Sequence, residues 1–278
     1  MSELRNIRWG KFGRDLLSRE SLKILGRSKS LQWALTYALR QQGMMVIDDL
    51  DELILEYQVI KFKPDVLNYP RMFEAPDRYV LSRIRPTDVV LDLGANIGSF
   101  TLQAGRVAKV VIAYEPIFGD LLAENIELNS LVEKIYLERL AIGEESGDII
   151  VDCQEYKKEV PSVSFYSALR SIEKVDFLRM DIGGQEWNIK PEELSGIRNL
   201  EIEFHFWKEW QRVISNWPLW KRWLESEGYG YRARWSKHGH WLYLSASKDV
   251  KEREEVHLTN GSFRGKVRQL WRGPEKGL

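Results

Sequence analysis

Four residues in one short window, Asp92, Gly94, Asn96 and Gly98, have the types and spacing to cradle a small ligand. Glycine accepts positive φ and lets a bound group approach the backbone, which a side chain prevents. The apolar run Val89, Val90, Leu91 and Leu93 precedes the turn, and Ser99 to Val107 can open a helix after it. A strand end, a tight turn and the unpaired first amides of a helix together suit a polar ligand. Two common loops fit poorly. A dinucleotide fingerprint has glycine at its close-approach position, where this chain carries Asn96. A phosphate loop ends in Gly-Lys-Ser or Gly-Lys-Thr, and neither is present here. A third pattern, Asp-x-Gly-x-x-x-Gly, is met by Asp92, Gly94 and Gly98.

Further along are residues able to bind or move protons. Glu115, followed by Pro116, ends the apolar run Val110 to Tyr114. It stands about 20 positions past the glycine turn, where a strand-end carboxylate takes the two ribose hydroxyls of an adenosyl group. Asp181 ends the run Val175 to Met180, while Glu203 and His205 share one face of the run Leu200 to His205. A carboxylate or imidazole held at such a strand end can take the proton of an acceptor hydroxyl. The plainer readings are a helix N-cap for Asp181 and a hydrogen-bonded surface histidine for His205. Asp181, Glu203 and His205 together could ligate a metal, but no His or Cys cluster of ligand spacing accompanies them, so no metal is expected.

These side chains meet only if strands and helices alternate. From Asp88 the pattern is that of a parallel sheet with helices on both faces. Strands are expected at 89–93, 110–114, 135–142, 175–181 and 200–205, with helices over 99–107, 118–129 and about 208–227. Residues 229–235 and 240–246 read as a hairpin, and 148–151 with 162–166 as short antiparallel strands. Residues 1–68 form an extension, helical to about residue 45 with a strand at Tyr57 to Phe62. Asp77 to Ile84 reads as a helix ended by Pro86. Residues 69–247 make the ligand-binding domain, and 248–278 a charged tail, docked or disordered. Trp207, Trp210, Trp217, Trp220 and Trp223 recur at helical spacing, a pattern of core packing that could also wall a pocket.

The chain has 278 residues and a formal net charge of +0. A neutral total counts against binding of long nucleic acid, although the N-terminal segment and the stretch 264–272 are locally basic. The one cysteine, Cys153, excludes an internal disulfide and suits a reducing compartment. No apolar run approaches the roughly 18 residues of a membrane span, and no signal-peptide core stands at the N-terminus. A cytoplasmic protein is expected.

With these stretches assembled, the chain resembles the FkbM family of S-adenosylmethionine-dependent methyltransferases over about Glu74 to His205. The likeness lies in Val90-Leu91-Asp92-Leu93-Gly94-Ala95-Asn96-Ile97-Gly98, in Tyr114-Glu115-Pro116 with Glu124-Asn125-Ile126-Glu127-Leu128-Asn129, in Phe177 to Glu186, and in Ile202-Glu203-Phe204-His205. It implies an α/β fold with a Rossmann-like class I methyltransferase sheet, parallel strands closed by a C-terminal antiparallel hairpin. It also implies S-adenosylmethionine as cofactor, its methionine end cradled by Asp92, Gly94, Asn96 and Gly98, its ribose on Glu115, and its adenine near Leu140 and Ala141. Asp181 would face the reacting methyl. A small-molecule or glycan hydroxyl is the expected acceptor, with RNA as the alternative, and a donor-binding protein without turnover as a third reading. One departure stands out: the family has glutamate where this chain has Gly183, while Glu186 is retained.

Overall fold

The computed structural model describes residues 45–49, 52–57, 60–62, 81–152, 157–206, 210–235 and 240–257. In chain order, β1 (Met45–Asp49), β2 (Glu52–Tyr57) and β3 (Ile60–Phe62) form a small antiparallel sheet. The alternating units follow as β4 (Val89–Leu93), α1 (Thr101–Val107), β5 (Val110–Tyr114), α2 (Gly119–Leu128) and β6 (Ile135–Glu138). A second three-stranded sheet is made by β7 (Ala141–Gly143), β8 (Gly147–Asp152) and β9 (Lys157–Ser164), and leads into α3 (Phe165–Arg170). Then come β10 (Phe177–Met180), β11 (Asn199–His205), α4 (Trp210–Ser226), β12 (Gly230–Trp235), β13 (Trp241–Ser247) and β14 (Arg253–His257).

The central sheet runs β14-β12-β13-β11-β10-β4-β5-β6. Strands β11, β10, β4, β5 and β6 are mutually parallel, and β13 enters antiparallel between β11 and β12. Strand β14 pairs parallel with β12. Continuous apolar runs are what a sheet covered on both faces requires. Leu91, Leu93, Leu178, Met180, Leu200 and Ile202 are accordingly buried, each stabilising the fold by roughly 1.5–3 kcal/mol. From β4 the order runs outward through β5 and β6 on one side and through β10 and β11 on the other. That reversal leaves a crevice beyond the carboxyl ends of β4 and β10. Pairing of Leu93 with both Tyr114 and Met180 puts Gly94, Glu115 and Asp181 at the same level of this edge.

Several elements differ from the expected ones. The strand expected at Tyr57 to Phe62 is a reversal, with Tyr57 on β2 paired to Ile60 on β3. The third core strand stops at Glu138, and Ala141–Gly143 joins the other sheet. Phe165 and Tyr166 begin a helix because the Ser164 hydroxyl accepts from the Ser167 amide at 3.2 Å. Of the helix expected over Asp77 to Ile84, the described part is a short 3₁₀ turn, Leu81–Arg83. The charged tail is docked through β14 as far as His257. The helical segment expected before residue 45 and the tail from 258 lie outside the described residues. So do Trp207 and the side chain of Trp210. Trp217, Trp220 and Trp223 are core, with the Trp220 ring set edge-on to Phe204 and that of Trp217 to Tyr231. No helix among the described residues is long and apolar enough to cross a membrane.

Candidate active site

The glycine turn is built by close packing. Gly94 has φ +80°, and a Cβ there would lie 2.0 Å from the Asp181 carbonyl oxygen, so no other residue fits. The amides of Gly94 and Ala95 both donate to the Tyr114 carbonyl, at 2.9 and 3.1 Å. Asn96, also at positive φ (+54°), returns its side-chain oxygen to the Ile97 amide at 2.8 Å. Asparagine tolerates this conformation because its short side chain bonds locally. The Asn125 amide group holds the Ile97 carbonyl from α2 at 2.9 Å.

Glu115 joins this turn to the next strand. Its Oε2 accepts from the Asn96 amide at 2.7 Å, and its Oε1 from the Ile117 and Phe118 amides at 2.7 and 3.0 Å. Burial raises its pKa above the usual carboxylate value, the three amides opposing. An ionised carboxylate has about four acceptor positions, so one remains on Oε2 for a ligand. Pro116 follows at the same edge, and Leu140 and Ala141 stand where the chain leaves β6 for β7, beyond the carboxyl end of β6.

Asp92 differs from expectation. It is fully buried beneath the turn instead of facing a ligand. One oxygen accepts from the Thr101 hydroxyl, and the other pairs with Arg179 at 3.3 Å. Burial raises its pKa, with Arg179 and Thr101 opposing. Its role in the turn is therefore indirect. Arg179 also donates to the Gly94 carbonyl and, at 2.8 Å, to Asp181. One guanidinium thus ties the turn to the end of β10.

Asp181, Glu203 and His205 do converge. His205 Nε2 lies 3.7 Å from Asp181 Oδ1 and 3.7 Å from Glu203 Oε1. Its Nδ1 is 3.1 Å from Glu186 Oε1. Glu186, fully buried, accepts further from the Ile182, Gly184 and His205 amides at 2.8, 2.9 and 3.4 Å. It closes the turn after β10 and fixes the imidazole. Trp187 Nε1 anchors the His205 carbonyl at 2.7 Å. Burial alone would lower the His205 pKa. The hydrogen bond to Glu186 and the charges of Glu186, Asp181 and Glu203 outweigh it and push it up to about 9. The surrounding carboxylates thus favour the protonated imidazole.

Sequence reasoning missed Arg179 and gave Glu186 no role in the site. A lone cation in an apolar strand run was the available signal for Arg179, which the register sets directly beside Asp92. Gly183 (φ +65°) has open space where a Cβ would stand, but its left-handed backbone strains any residue that carries one.

Five parallel strands with an antiparallel hairpin strand inserted at the end, and a glycine turn at the switch point, define a Rossmann-like class I methyltransferase sheet. No protein-family model matches the chain, and no curated protein does. Solved structures that share features of its fold include M. jannaschii TYW2 in complex with AdoMet. That match has 18% identity and a TM-score of 0.43, covering 73% of this chain and 88% of that one. Trm5b from Pyrococcus abyssi is 16% identical with TM-score 0.44, over 72% of this chain and 56% of that one. A precorrin-6y C5,15-methyltransferase from Geobacter metallireducens GS-15 is 13% identical with TM-score 0.40, over 60% and 86%. The class of fold follows from the strand order, not from these likenesses.

Proposed function

We propose that the chain is an S-adenosylmethionine-dependent methyltransferase that methylates a hydroxyl of a small molecule or glycan. The observation that carries this reading is the single edge on which the Gly94–Gly98 turn, Glu115 and the Asp181–Glu203–His205 group lie side by side. The residues fit the donor: the turn offers close backbone approach, and Glu115 keeps one acceptor position beside it. Asn96, Gly94 and Gly98 would hold the methionine end, Glu115 the ribose, and Pro116, Leu140 and Ala141 the adenine side, with Asp92 acting through Arg179 and Thr101. When bound, the donor supplies an electrophilic methyl group on a sulfonium. The motif resemblance to the FkbM family supports the same assignment.

The protein's own part is alignment and proton removal. Fixing donor and acceptor in reacting geometry can contribute roughly 7–11 kcal/mol. Asp181 or Glu203 takes the acceptor proton, for about 10²–10⁴-fold, while the His205 imidazolium holds the two carboxylates in place. Calorimetric titration with S-adenosylmethionine and S-adenosylhomocysteine tests the donor site, and labelled-methyl transfer to cell extract fractionated into small molecules, glycan and RNA tests the acceptor. Binding in the micromolar range and label in the first two fractions are expected. Absence of binding at high micromolar donor would overturn the reading, and label confined to RNA would overturn the acceptor class.

A further inference from the structure

The short 3₁₀ turn Gln185–Asn188, which follows β10, holds His205 at three points. Trp187 Nε1 donates to the His205 carbonyl at 2.7 Å, and Glu186 Oε2 accepts from the His205 amide at 3.4 Å. Glu186 Oε1 stands 3.1 Å from Nδ1 of the ring. Backbone and imidazole of one residue are thus set by two neighbouring side chains. Glu186 is wholly buried. The Ile182, Gly184 and His205 amides and the ring occupy the roughly four acceptor positions of its carboxylate. It is spent inside the fold and reaches the reaction only through His205. The other ring nitrogen, Nε2, lies 3.7 Å from Asp181 Oδ1 and 3.7 Å from Glu203 Oε1.

We propose that Glu186 is a positioning residue for methyl transfer: it keeps hydrogen on Nδ1 of His205 and so aims Nε2 at the carboxylates that take the acceptor proton. This rests on the methyltransferase reading above. A carboxylate met by three N–H donors has only lone pairs to offer the ring, so Nδ1 is the donor in that contact. A neutral imidazole has one N–H, and the partner of one nitrogen decides the state of the other. The ring therefore gains and loses its charge at Nε2. In the imidazolium that the site favours, the Nε2 hydrogen holds Asp181 and Glu203 toward the acceptor. Contacts at a reacting group are often long before substrate binds and tighten afterwards. When Nε2 loses its hydrogen, a lone pair faces the two carboxylates and the hold is lost. Transfer should then fall as pH rises through about 9, the midpoint set by Glu186, Asp181 and Glu203 together.

The test is a long-range ¹H–¹⁵N correlation spectrum of the ¹⁵N-labelled full chain, recorded on both sides of the ring's titration. The chain has four histidines, and His205 is identified by its loss in His205→Gln. S-adenosylhomocysteine calorimetry is run on the same samples. In the wild type, Nδ1 is expected to keep its hydrogen throughout, and Nε2 to lose it at about pH 9. Glu203→Gln should lower the midpoint and keep the tautomer. Glu186→Gln should lower the midpoint by about one unit or more and lose the preference for hydrogen on Nδ1. Its S-adenosylhomocysteine affinity should stay at the wild-type value, while the alkaline limb of labelled-methyl transfer moves down with the midpoint. Hydrogen on Nε2 in the neutral ring of the wild type would overturn the proposal, and that result needs no variant to fold. A Glu186→Gln protein with the wild-type tautomer and midpoint would overturn it too. A wild type with the expected tautomer that binds no S-adenosylhomocysteine would overturn the donor reading instead.

Discussion

Replacing Arg179 by methionine removes the only cation that the described contacts place on Asp92, and the loss can be sized. Asp92 is fully buried, and a buried carboxylate stripped of its partner costs about 3–5 kcal/mol. The Thr101 hydroxyl still bonds one oxygen, and a hydrogen bond to a charged group contributes about 1.5–3 kcal/mol. The cost should therefore fall near 3 kcal/mol, the lower end of that range, out of a total stability on the order of 5–15 kcal/mol. Asp92→Asn removes the charge and keeps an acceptor for Thr101. The double variant Asp92→Asn/Arg179→Met should then be less destabilised than the sum of the singles, by about 1.5–3 kcal/mol. Urea unfolding followed by tryptophan fluorescence, run on all four proteins at pH 5.5 and pH 8, measures this. Burial already raises the Asp92 pKa, and losing Arg179 raises it further. The Arg179→Met deficit should therefore shrink as pH falls and Asp92 takes up a proton. Additivity of the two singles to within about 0.5 kcal/mol, or a deficit independent of pH, would refute the claim that this pair supports the turn.

Three further outcomes are expected. Gly94→Ala puts a Cβ 2.0 Å from a backbone oxygen, and Gly98→Ala, at φ +103°, puts one 2.7 Å from the buried Leu122 side chain. Both should weaken donor binding and lower the Tm by several degrees, and a Gly94→Ala that matches the wild type by calorimetry and melting would contradict the packing argument. Glu115→Gln turns an amide group toward the Asn96 amide, donor against donor. A loss of S-adenosylhomocysteine affinity of about 10-fold or more is expected, and unchanged affinity would remove Glu115 from the ribose site. Glu201 has its pKa raised from 4.5 to about 7 by burial, against hydrogen bonds from Tyr243 and Ser245 and the charge of Arg83. Because the folded value is the higher one, its stabilising contribution is complete below pH 4.5 and is lost as pH rises through 7. At about 1.4 kcal/mol per unit this reaches roughly 3 kcal/mol. Glu201→Gln should flatten the dependence of urea-unfolding stability between pH 5 and 8, and a slope equal to the wild type would refute the assignment.

The core strands were legible because burial on both faces imposes continuous apolar runs such as Val110 to Tyr114. Glu115 was legible because it is the first charged residue after such a run, and Asp181 because it closes the mainly apolar stretch Phe177 to Met180. The Tyr57–Ile60 reversal was hidden, since Gln58 and Val59 carry none of the usual turn chemistry and the apolar alternation runs straight across them. Glu186 could not be read as a site residue. Its role comes from three amides and an imidazole that meet only after β10 and β11 pair. Asp92 was misjudged for a related reason. A carboxylate beside a glycine turn looks like a ligand contact until Arg179, far along the chain but adjacent in the sheet, is seen to occupy it. The docking of 253–257 was left open because that strand is placed by backbone pairing with β12, and composition says nothing about backbone pairing.

That strand has a consequence for how the molecule meets its own kind. Gly230 lets the Val250 carbonyl approach so closely that a Cβ there would stand 2.4 Å from it, which starts the pairing of β14 along β12. Without β14, the backbone donors and acceptors of Gly230–Trp235 would lie open at the rim of the sheet, a template for any extended segment of another copy. With it, the rim presents Arg253, Glu254 and Glu255, whose charges oppose such pairing. A chain cut after Asp249 should therefore aggregate, even though every residue of the glycine turn and of the His205 cluster would still be present.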